Sequence, residues 1–133
     1  MTVFYFDTSA AVKLIIEEPE SAALMAWVKT NSDRIVSSDL LRTELLRTTR
    51  RGAPEQMGRA RIILESLTLV TLPSATFERA AELAPELLRS LDSLHLAAAL
   101  ELGDDLDGFV TYDELLAKAA HLYGIDVIAP KDR

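Results

Sequence analysis

The sequence contains no cysteine and no long run of apolar residues. Without cysteine, this chain can form neither disulfide bonds nor thiolate metal sites. Its apolar runs fall far short of the roughly 20 residues that a membrane-spanning helix requires, so we expect no membrane segment. The first residues also lack the basic region and cleavage site of a secretory signal. A cytoplasmic location is therefore the expectation.

Basic residues are in the minority: 14 Lys and Arg face 21 Asp and Glu, which gives a formal net charge of -7. Such a charge repels nucleic acid as a whole, because phosphate binding depends on Lys and Arg. The arginines are nevertheless concentrated between positions 42 and 61. This stretch contains Arg42, Arg47, Arg50, Arg51, Arg59 and Arg61. It predicts a local basic patch, and the alternative is two solvated helix faces.

The remaining composition, with 49% hydrophobic and 26% charged residues, is that of an ordinary globular protein. A chain of 133 residues is long enough for one domain with a single core. No internal repeat, low-complexity tract or linker interrupts it. We therefore predict a single domain over residues 1–133.

Segments that favour strands and helices alternate along the chain. Runs rich in β-branched and aromatic residues predict strands at 2–6, 34–37, 67–72, 108–112 and 126–129. Capping residues and apolar spacing predict helices between them. The first helix is capped within 7–9 and ends near 17, and the others cover 19–28, 40–51, 54–66, 74–83, 87–102 and 113–123. This pattern is typical of an α/β protein, a three-layer α/β/α sandwich with a central parallel sheet.

Two acidic residues stand at the ends of predicted strands. Asp7 ends the first strand and Asp113 ends the fourth, and a helix follows each of them. In parallel sheets, ligands bind beyond the carboxyl ends of the strands. The two carboxylates therefore share one crevice if their strands are neighbours. The alternative for each is a helix N-cap, and Asp39 after the second strand is expected to serve only as a cap.

Two further acids, Glu44 and Asp92, lie inside predicted helices among apolar residues. Asp is a poor residue for a helix interior, so Asp92 is expected to face buried or half-buried space. His95 follows it by one turn, where a lone histidine more often serves the structure than binds a ligand. The alternative for each acid is an ion pair with a nearby arginine: Arg47 or Arg51 for Glu44, and Arg89 for Asp92.

If the fold gathers these four carboxylates, their charges require a counter-ion. Two like charges ~4 Å apart repel by about 4 kcal/mol at an effective dielectric constant of ~20, and desolvation adds to the cost. Oxygen ligands suit hard cations such as Mg²⁺ and Mn²⁺, whereas zinc prefers His or Cys. The pattern therefore indicates metal-assisted chemistry on phosphate.

Four motifs, in this order along the chain, resemble the PIN-domain ribonucleases and, more narrowly, the VapC toxins of bacterial and archaeal toxin–antitoxin pairs. The motifs are FYFDTSA, LLRTELLR, RSLDSLHLAAAL and FVTYDELL, and the resemblance covers essentially the whole chain. It implies a quartet of acids that is both catalytic and metal-binding: Asp7, Glu44, Asp92 and Asp113. Ser9 and Thr111 match the hydroxyl positions beside that site, where they would orient a carboxylate or a bound water. The alternative for both is plain capping and strand hydrogen bonding.

The same resemblance implies a cofactor, a substrate and partners. The cofactor is Mg²⁺ or Mn²⁺, and the substrate is RNA. From the metal chemistry we expect in-line attack of water, which leaves a 5′-phosphate and a 3′-hydroxyl. The expected partners are a VapB-type antitoxin and a second copy of the chain in a homodimer. The basic patch would then contact RNA phosphates or the antitoxin, with Arg42, Arg47, Arg50 and Arg51 as its candidates.

Other interpretations fit less of the sequence. A phosphatase of the haloacid dehalogenase type requires a second Asp two residues after the first, and Ser9 stands there. A receiver domain requires an acidic pair after the first strand, where Asp7 stands alone. A PIN-like module that binds RNA or protein without cleaving is the remaining alternative, and the complete acidic quartet argues against it.

Overall fold

The computed structural model describes residues 2–132 and contains a five-stranded parallel sheet in the order β3-β2-β1-β4-β5. The strands are β1 Val3–Phe6, β2 Ile35–Ser38, β3 Thr68–Val70, β4 Leu106–Val110 and β5 Val127–Ile128. The helices are α1 Thr8–Val12, α2 Ser21–Asn31, α3 Leu40–Gly52, α4 Met57–Ser66, α5 Ser74–Glu82, α6 Ser90–Leu100 and α7 Glu114–Leu122. Among the described residues, no helix combines the length and apolar character needed to cross a bilayer.

The central strand β1 sends alternate side chains to opposite faces of the sheet. Phe4 and Phe6 pack into one core with apolar residues of α1 to α4, whereas Tyr5 packs with Leu96 and Phe109 in a second core under α6 and α7. Helices therefore cover both faces of the sheet, and the predicted three-layer α/β/α sandwich is confirmed.

The first helix is shorter than predicted, because α1 ends at Val12 rather than near residue 17. The chain leaves it through i→i+3 backbone hydrogen bonds from Lys13, Leu14 and Ile15. These tighter turns let Leu14 and Ile15 enter the core, where both are buried. Tertiary packing thus overrides the helical preference of this segment.

Two predicted details near other helix starts are also wrong. Helix α6 begins at Ser90 rather than residue 87, because Arg89 before it has an extended backbone. Asp39 occupies the N-cap position of α3 but makes no capping bond. Its backbone is helical rather than extended, which turns the carboxylate away from the first amides. That carboxylate instead accepts hydrogen bonds from Arg42 and Thr71, at 3.0 and 3.3 Å.

The order of the strands opens a crevice beyond the carboxyl ends of β1 and β4. These strands are neighbours, with Tyr5 beside Phe109 and Phe6 beside Val110. Strands β2 and β3 lie on one side of β1, and β4 and β5 lie on the other, so the strand order reverses at β1. Crevices at such switch points are the usual binding sites of parallel sheets. The Asp7 N–H donates to the Val110 carbonyl at 3.2 Å. The segments that follow the two strands therefore start side by side.

Thr76 in α5 carries a buried hydroxyl whose cost to stability can be measured. Its side chain is fully buried, and its Oγ1 has no hydrogen-bond partner among residues 2–132. An unpaired buried hydroxyl costs about 1–3 kcal/mol. We expect Thr76→Val to raise the free energy of unfolding by about 1 kcal/mol in urea denaturation. Thr49→Val is the matched control, since the equally buried Thr49 donates to the Leu45 carbonyl at 2.8 Å. Equal responses of the two variants would contradict the prediction.

Candidate functional site

Asp7 sits at the bottom of the crevice, where β1 meets α1, and its side chain is almost fully buried. Its Oδ1 accepts a hydrogen bond from the Ala10 N–H at 3.0 Å and caps α1. Two hydroxyls also donate to the carboxylate: Ser9 at 2.7 and 2.9 Å, and Thr111 at 2.6 Å. The capping interpretation is therefore correct for Asp7. Asp7 also lines the crevice, so the two roles are compatible.

The two hydroxyls are themselves held by the backbone. Ser9 Oγ accepts from the Tyr112 N–H at 2.9 Å, and Thr111 Oγ1 accepts from the Asp113 N–H at 3.1 Å. Each oxygen is thus occupied as an acceptor, which directs its own proton toward the carboxylate. Residues 111–113, which follow β4, therefore hold the side chain of Asp7, which follows β1.

Asp113 and Asp92 meet on the other side of the crevice through Arg89. Asp113 caps α7, with its Oδ1 accepting from the Leu116 N–H at 2.8 Å. Arg89 lies 3.1 Å from Asp92 Oδ2 and 3.5 Å from Asp113 Oδ2. The ion pair considered as the alternative for Asp92 is therefore present. The guanidinium is largely exposed, whereas Asp92 is mostly shielded, so the arginine covers the acids from the solvent side.

Glu44 reaches the crevice from α3, and neither Arg47 nor Arg51 pairs with it. Its Oε1 lies 2.8 Å from Thr8 Oγ1 and 2.6 Å from His95 Nε2. The side chain is half-buried rather than on the outer face of the helix. The register of α3 explains this, since Leu41, three residues before Glu44, and Leu45, directly after it, are both fully buried.

The four acids line one crevice of about 420 Å³. Each comes from a different element: the turn after β1, helix α3, helix α6 and the turn after β4. The remaining lining is polar or basic for the most part. It consists of Thr8, Ser9, Val12, Lys13, Glu18, Thr48, Arg89 and Tyr112.

Burial and hydrogen bonding shift the pKa values of three of these acids. Burial raises the pKa of Asp7, and the hydrogen bonds from Thr111, Ala10 and Ser9 oppose the shift without cancelling it. Burial also raises the pKa of Asp92, against the effect of nearby Arg89. For Glu44, burial acts in the same direction, but the hydrogen bonds and charges around it, chiefly from His95, hold its pKa below the usual range. Negative charge is therefore costly at Asp7 and Asp92 and favoured at Glu44.

The donor set suits a hard divalent cation, because it offers four carboxylates and no thiolate. Within residues 2–132, however, no three His, Asp or Glu side chains are arranged around a common point that could hold a metal ion. Arg89 engages two of the four acids, Asp92 and Asp113, instead.

The raised pKa values predict how the cation-free protein responds to acid. A carboxyl group whose pKa is higher in the folded state binds its proton more tightly there. Stability consequently rises as pH falls from above the folded pKa toward the unfolded value near 4. Asp7 should contribute in this direction, by about 1.4 kcal/mol for each unit of difference. Glu44 acts oppositely, and its contribution is lost at pH values below about 4.3.

The measurement is a series of thermal melts in EDTA from pH 7 down to about 4, on wild-type protein and Asp7→Asn. We expect stability to increase less on acidification in the variant, because it lacks the group responsible. Parallel pH profiles for the two proteins would show that the Asp7 carboxyl makes no such contribution.

The four arginines named as candidates within the basic patch, Arg42, Arg47, Arg50 and Arg51, are exposed but do not line the crevice. Arg47, Arg50 and Arg51 surround a hollow of about 250 Å³ on α3, and Arg42 pairs with Asp39. They share α3 with Glu44. A molecule that extends from the crevice along this helix would therefore meet them.

Three residues that contact the acids carry only weak signals in the sequence. The sequence predicts Thr8 as part of a cap, Arg89 as the alternative partner of Asp92, and His95 as a structural residue. Thr8 directly follows Asp7 and Arg89 lies three residues before Asp92, and this spacing is the available signal. No local pattern shows that His95 meets Glu44, 51 residues away.

The chain is similar to known proteins over most of its length. The profile of the PIN domain family matches residues 4–122. Ribonuclease VapC47 of Mycobacterium tuberculosis is 39% identical over 132 residues, covering 96% of this chain and 97% of the relative. Ribonuclease VapC46 of the same species is 40% identical over 130 residues, with 98% and 99% covered.

Two solved structures share the fold. The first is Mycobacterium tuberculosis VapC20, described as a Sarcin-Ricin loop cleaving toxin. It superposes with a TM-score of 0.75 at 13% identity, over 87% of this chain and 94% of that one. The second, the DNA-bound VapBC complex of Salmonella typhimurium, gives 0.71 at 19% identity, over 97% and 98%. The matched profile and the identity to VapC47 and VapC46 over nearly the full length show that the chain belongs to the PIN-domain family and, within it, to the VapC ribonucleases.

Proposed function

We propose that this chain is the toxin of a toxin–antitoxin pair and hydrolyses RNA phosphodiester bonds with Mg²⁺ or Mn²⁺ as cofactor. The observation that carries the proposal is the meeting of Asp7, Glu44, Asp92 and Asp113 at one crevice, from four separate elements. The names of the relatives, ribonucleases and a toxin, support the same activity.

In this proposal the four acids hold the cation, and Ser9 and Thr111 keep Asp7 in place for it. A bound Mg²⁺ or Mn²⁺ would supply charge stabilisation at phosphate and activation of water. Arg89 then becomes available to a phosphate oxygen, because its guanidinium is exposed at the crevice and no longer needed between Asp92 and Asp113. Water is the nucleophile and the 3′-oxygen is the leaving group, so the products carry a 5′-phosphate and a 3′-hydroxyl.

The proposed partners are a VapB-type antitoxin and a second copy of the chain. A VapBC complex is among the structures that share the fold, which supports an antitoxin of that type. We further propose that residues 1–133 act as one domain. With RNA as substrate, we expect the protein to act in the cytoplasm.

A cleavage assay on RNA tests the proposal directly. Labelled RNA is incubated with the protein in Mg²⁺, Mn²⁺ or EDTA, and the product ends are identified. We expect cleavage with either cation and none in EDTA. Cleavage that persists in EDTA would contradict the metal-dependent mechanism. Cation and RNA binding without any cleavage would favour a non-catalytic PIN-like module.

The basic patch predicts a salt-dependent contribution to RNA binding. Replacing Arg47, Arg50 and Arg51 together with alanine should weaken binding more at low salt than at high salt, because fewer counterions are released from RNA. The slope of log K against log salt is negative. If each arginine neutralises one phosphate, this slope should become less steep by roughly 2 in the triple variant. Binding assays with cleavage suppressed by EDTA measure this slope.

Arg79→Ala is the control for the patch, since Arg79 is exposed on α5 and paired with Glu101. The control should leave the salt slope unchanged. If the triple variant also keeps the wild-type slope, the patch does not contact phosphates, and binding to a protein partner becomes its remaining role.

A further inference from the structure

A chain of buried hydrogen bonds runs from the core of the sheet to Glu44. Tyr5 Oη lies 2.8 Å from Ser38 Oγ and 2.8 Å from His95 Nδ1. On the opposite side of the imidazole ring, His95 Nε2 lies 2.6 Å from Glu44 Oε1. Ser38, Tyr5 and His95 are all fully buried, whereas Glu44 lines the crevice. The chain therefore links the interior of the fold to one of the four acids.

The number of protons available decides which atom donates to Glu44. A carboxylate only accepts hydrogen bonds, and Glu44 Oε1 already accepts one from Thr8 Oγ1 at 2.8 Å. The proton between Nε2 and Oε1 therefore belongs to the histidine. Tyr5 has a single proton, which it donates either to Ser38 or to His95 Nδ1. In both cases His95 Nε2 keeps its own proton and donates it to Glu44.

The geometry also determines which oxygen of Glu44 stays available. Thr8 Oγ1 donates to Oε1 at 2.8 Å, and Nε2 donates to the same atom. With Oε1 occupied by two donors, the carboxylate cannot rotate without breaking both bonds. Oε2 is then the oxygen left for a ligand in the crevice.

We propose that His95 is a positioning residue, oriented by Tyr5, whose Nε2–H fixes the Glu44 carboxylate for the cation. The aromatic packing supports this, because the Tyr5 and His95 rings contact edge to face with centroids 5.7 Å apart, and Tyr5 stacks on Phe109. The ring of His95 is thereby held on one side by core aromatics and on the other by its hydrogen bonds. This role depends on the proposed cation site but concerns a residue outside the acidic quartet.

The first test reads the protonated nitrogen of His95 directly. The chain contains two histidines, and His121 is exposed on α7, so it serves as an internal reference. Long-range ¹H–¹⁵N correlation spectra of ¹⁵N-histidine-labelled protein at pH 8 distinguish protonated from unprotonated ring nitrogens. We expect Nε2 of His95 to carry a proton, while His121 averages between its tautomers. A ring of His95 protonated at Nδ1 alone would overturn the inference.

The second test measures Mn²⁺ affinity by calorimetry on the full chain without RNA. Loss of a group that orients a metal ligand typically weakens binding by about 10- to 100-fold. We expect a loss of this size in His95→Leu, which removes the donor, and a smaller loss in Tyr5→Phe, which keeps the ring packing. His95→Gln retains an amide donor and should recover most of the affinity, and His121→Gln should match wild type.

The outcomes separate this inference from the proposed function. Wild-type protein that binds no Mn²⁺ would contradict the proposed function, and the nitrogen spectra would still test the His95–Glu44 bond. Wild-type binding with unchanged affinity in folded Tyr5→Phe and His95→Leu would contradict the positioning role alone. Thermal melts of each variant establish that it is folded. If His95→Leu does not fold, the Mn²⁺ affinities of Tyr5→Phe and His95→Gln decide. Wild-type affinity in Tyr5→Phe would then contradict the positioning role.

Discussion

Replacing Asp7 with asparagine is expected to abolish RNA cleavage, with kcat/KM falling by about a thousandfold or more. Such a loss corresponds to roughly 4 kcal/mol of transition-state stabilisation, in the range that a bound metal supplies. The reason is local, because Asp7 lies at the bottom of the crevice with three groups holding its carboxylate. An amide has nearly the same shape but brings neither the charge nor the second oxygen that the cation requires.

Asp39→Asn is the matched control for this experiment. Asp39 follows β2 as Asp7 follows β1, and both stand at the start of a helix. Asp39 does not line the crevice and pairs with Arg42 instead. Its variant should cleave RNA at the wild-type rate. If Asp7→Asn also cleaves at that rate, the carboxylate after β1 has no part in catalysis.

Asp92→Asn is expected to remove cleavage to a similar extent without lowering the stability of the cation-free protein. Burial and the nearby charge of Asp113 make the Asp92 carboxylate unfavourable, as its raised pKa shows. The opposing ion pair with Arg89 is largely exposed on the arginine side, and pairs of this kind contribute about 0–1 kcal/mol. Asparagine also preserves an oxygen that accepts from Arg89. Melting temperatures in EDTA should therefore stay within a few degrees of wild type or increase.

Arg89→Gln separates the two roles open to Asp92. If the ion pair serves mainly to hold α6 in place, both variants should lose stability by the same amount in EDTA. If Asp92 serves the cation, Arg89→Gln should instead strengthen Mn²⁺ binding in the absence of RNA, because a competing positive charge is gone. A clear loss of stability in Asp92→Asn would favour the first role and contradict our prediction.

Much of the fold was predictable because its signals are local. The alternation of strands and helices follows from side-chain periodicity and capping residues, and the family resemblance rested on motifs within single elements. Predictions were wrong where packing decided the outcome. Residues 13–16 have helical preference, yet Leu14 and Ile15 leave the helix to enter the core. Asp39 has the residue type of a cap, but its backbone conformation prevents capping.

The sequence by itself determined which chemical groups stand at the ends of which elements: Asp7 and Asp113 after strands, and Glu44 and Asp92 on helices. Only the tertiary structure decided that β1 and β4 are neighbours and that the four acids share one crevice. The contacts that tune the acids, such as Thr111 with Asp7, join residues up to 104 positions apart. Periodicity and capping act over a few residues, whereas these contacts depend on the order of strands, which the packing of helices on both faces of the sheet establishes.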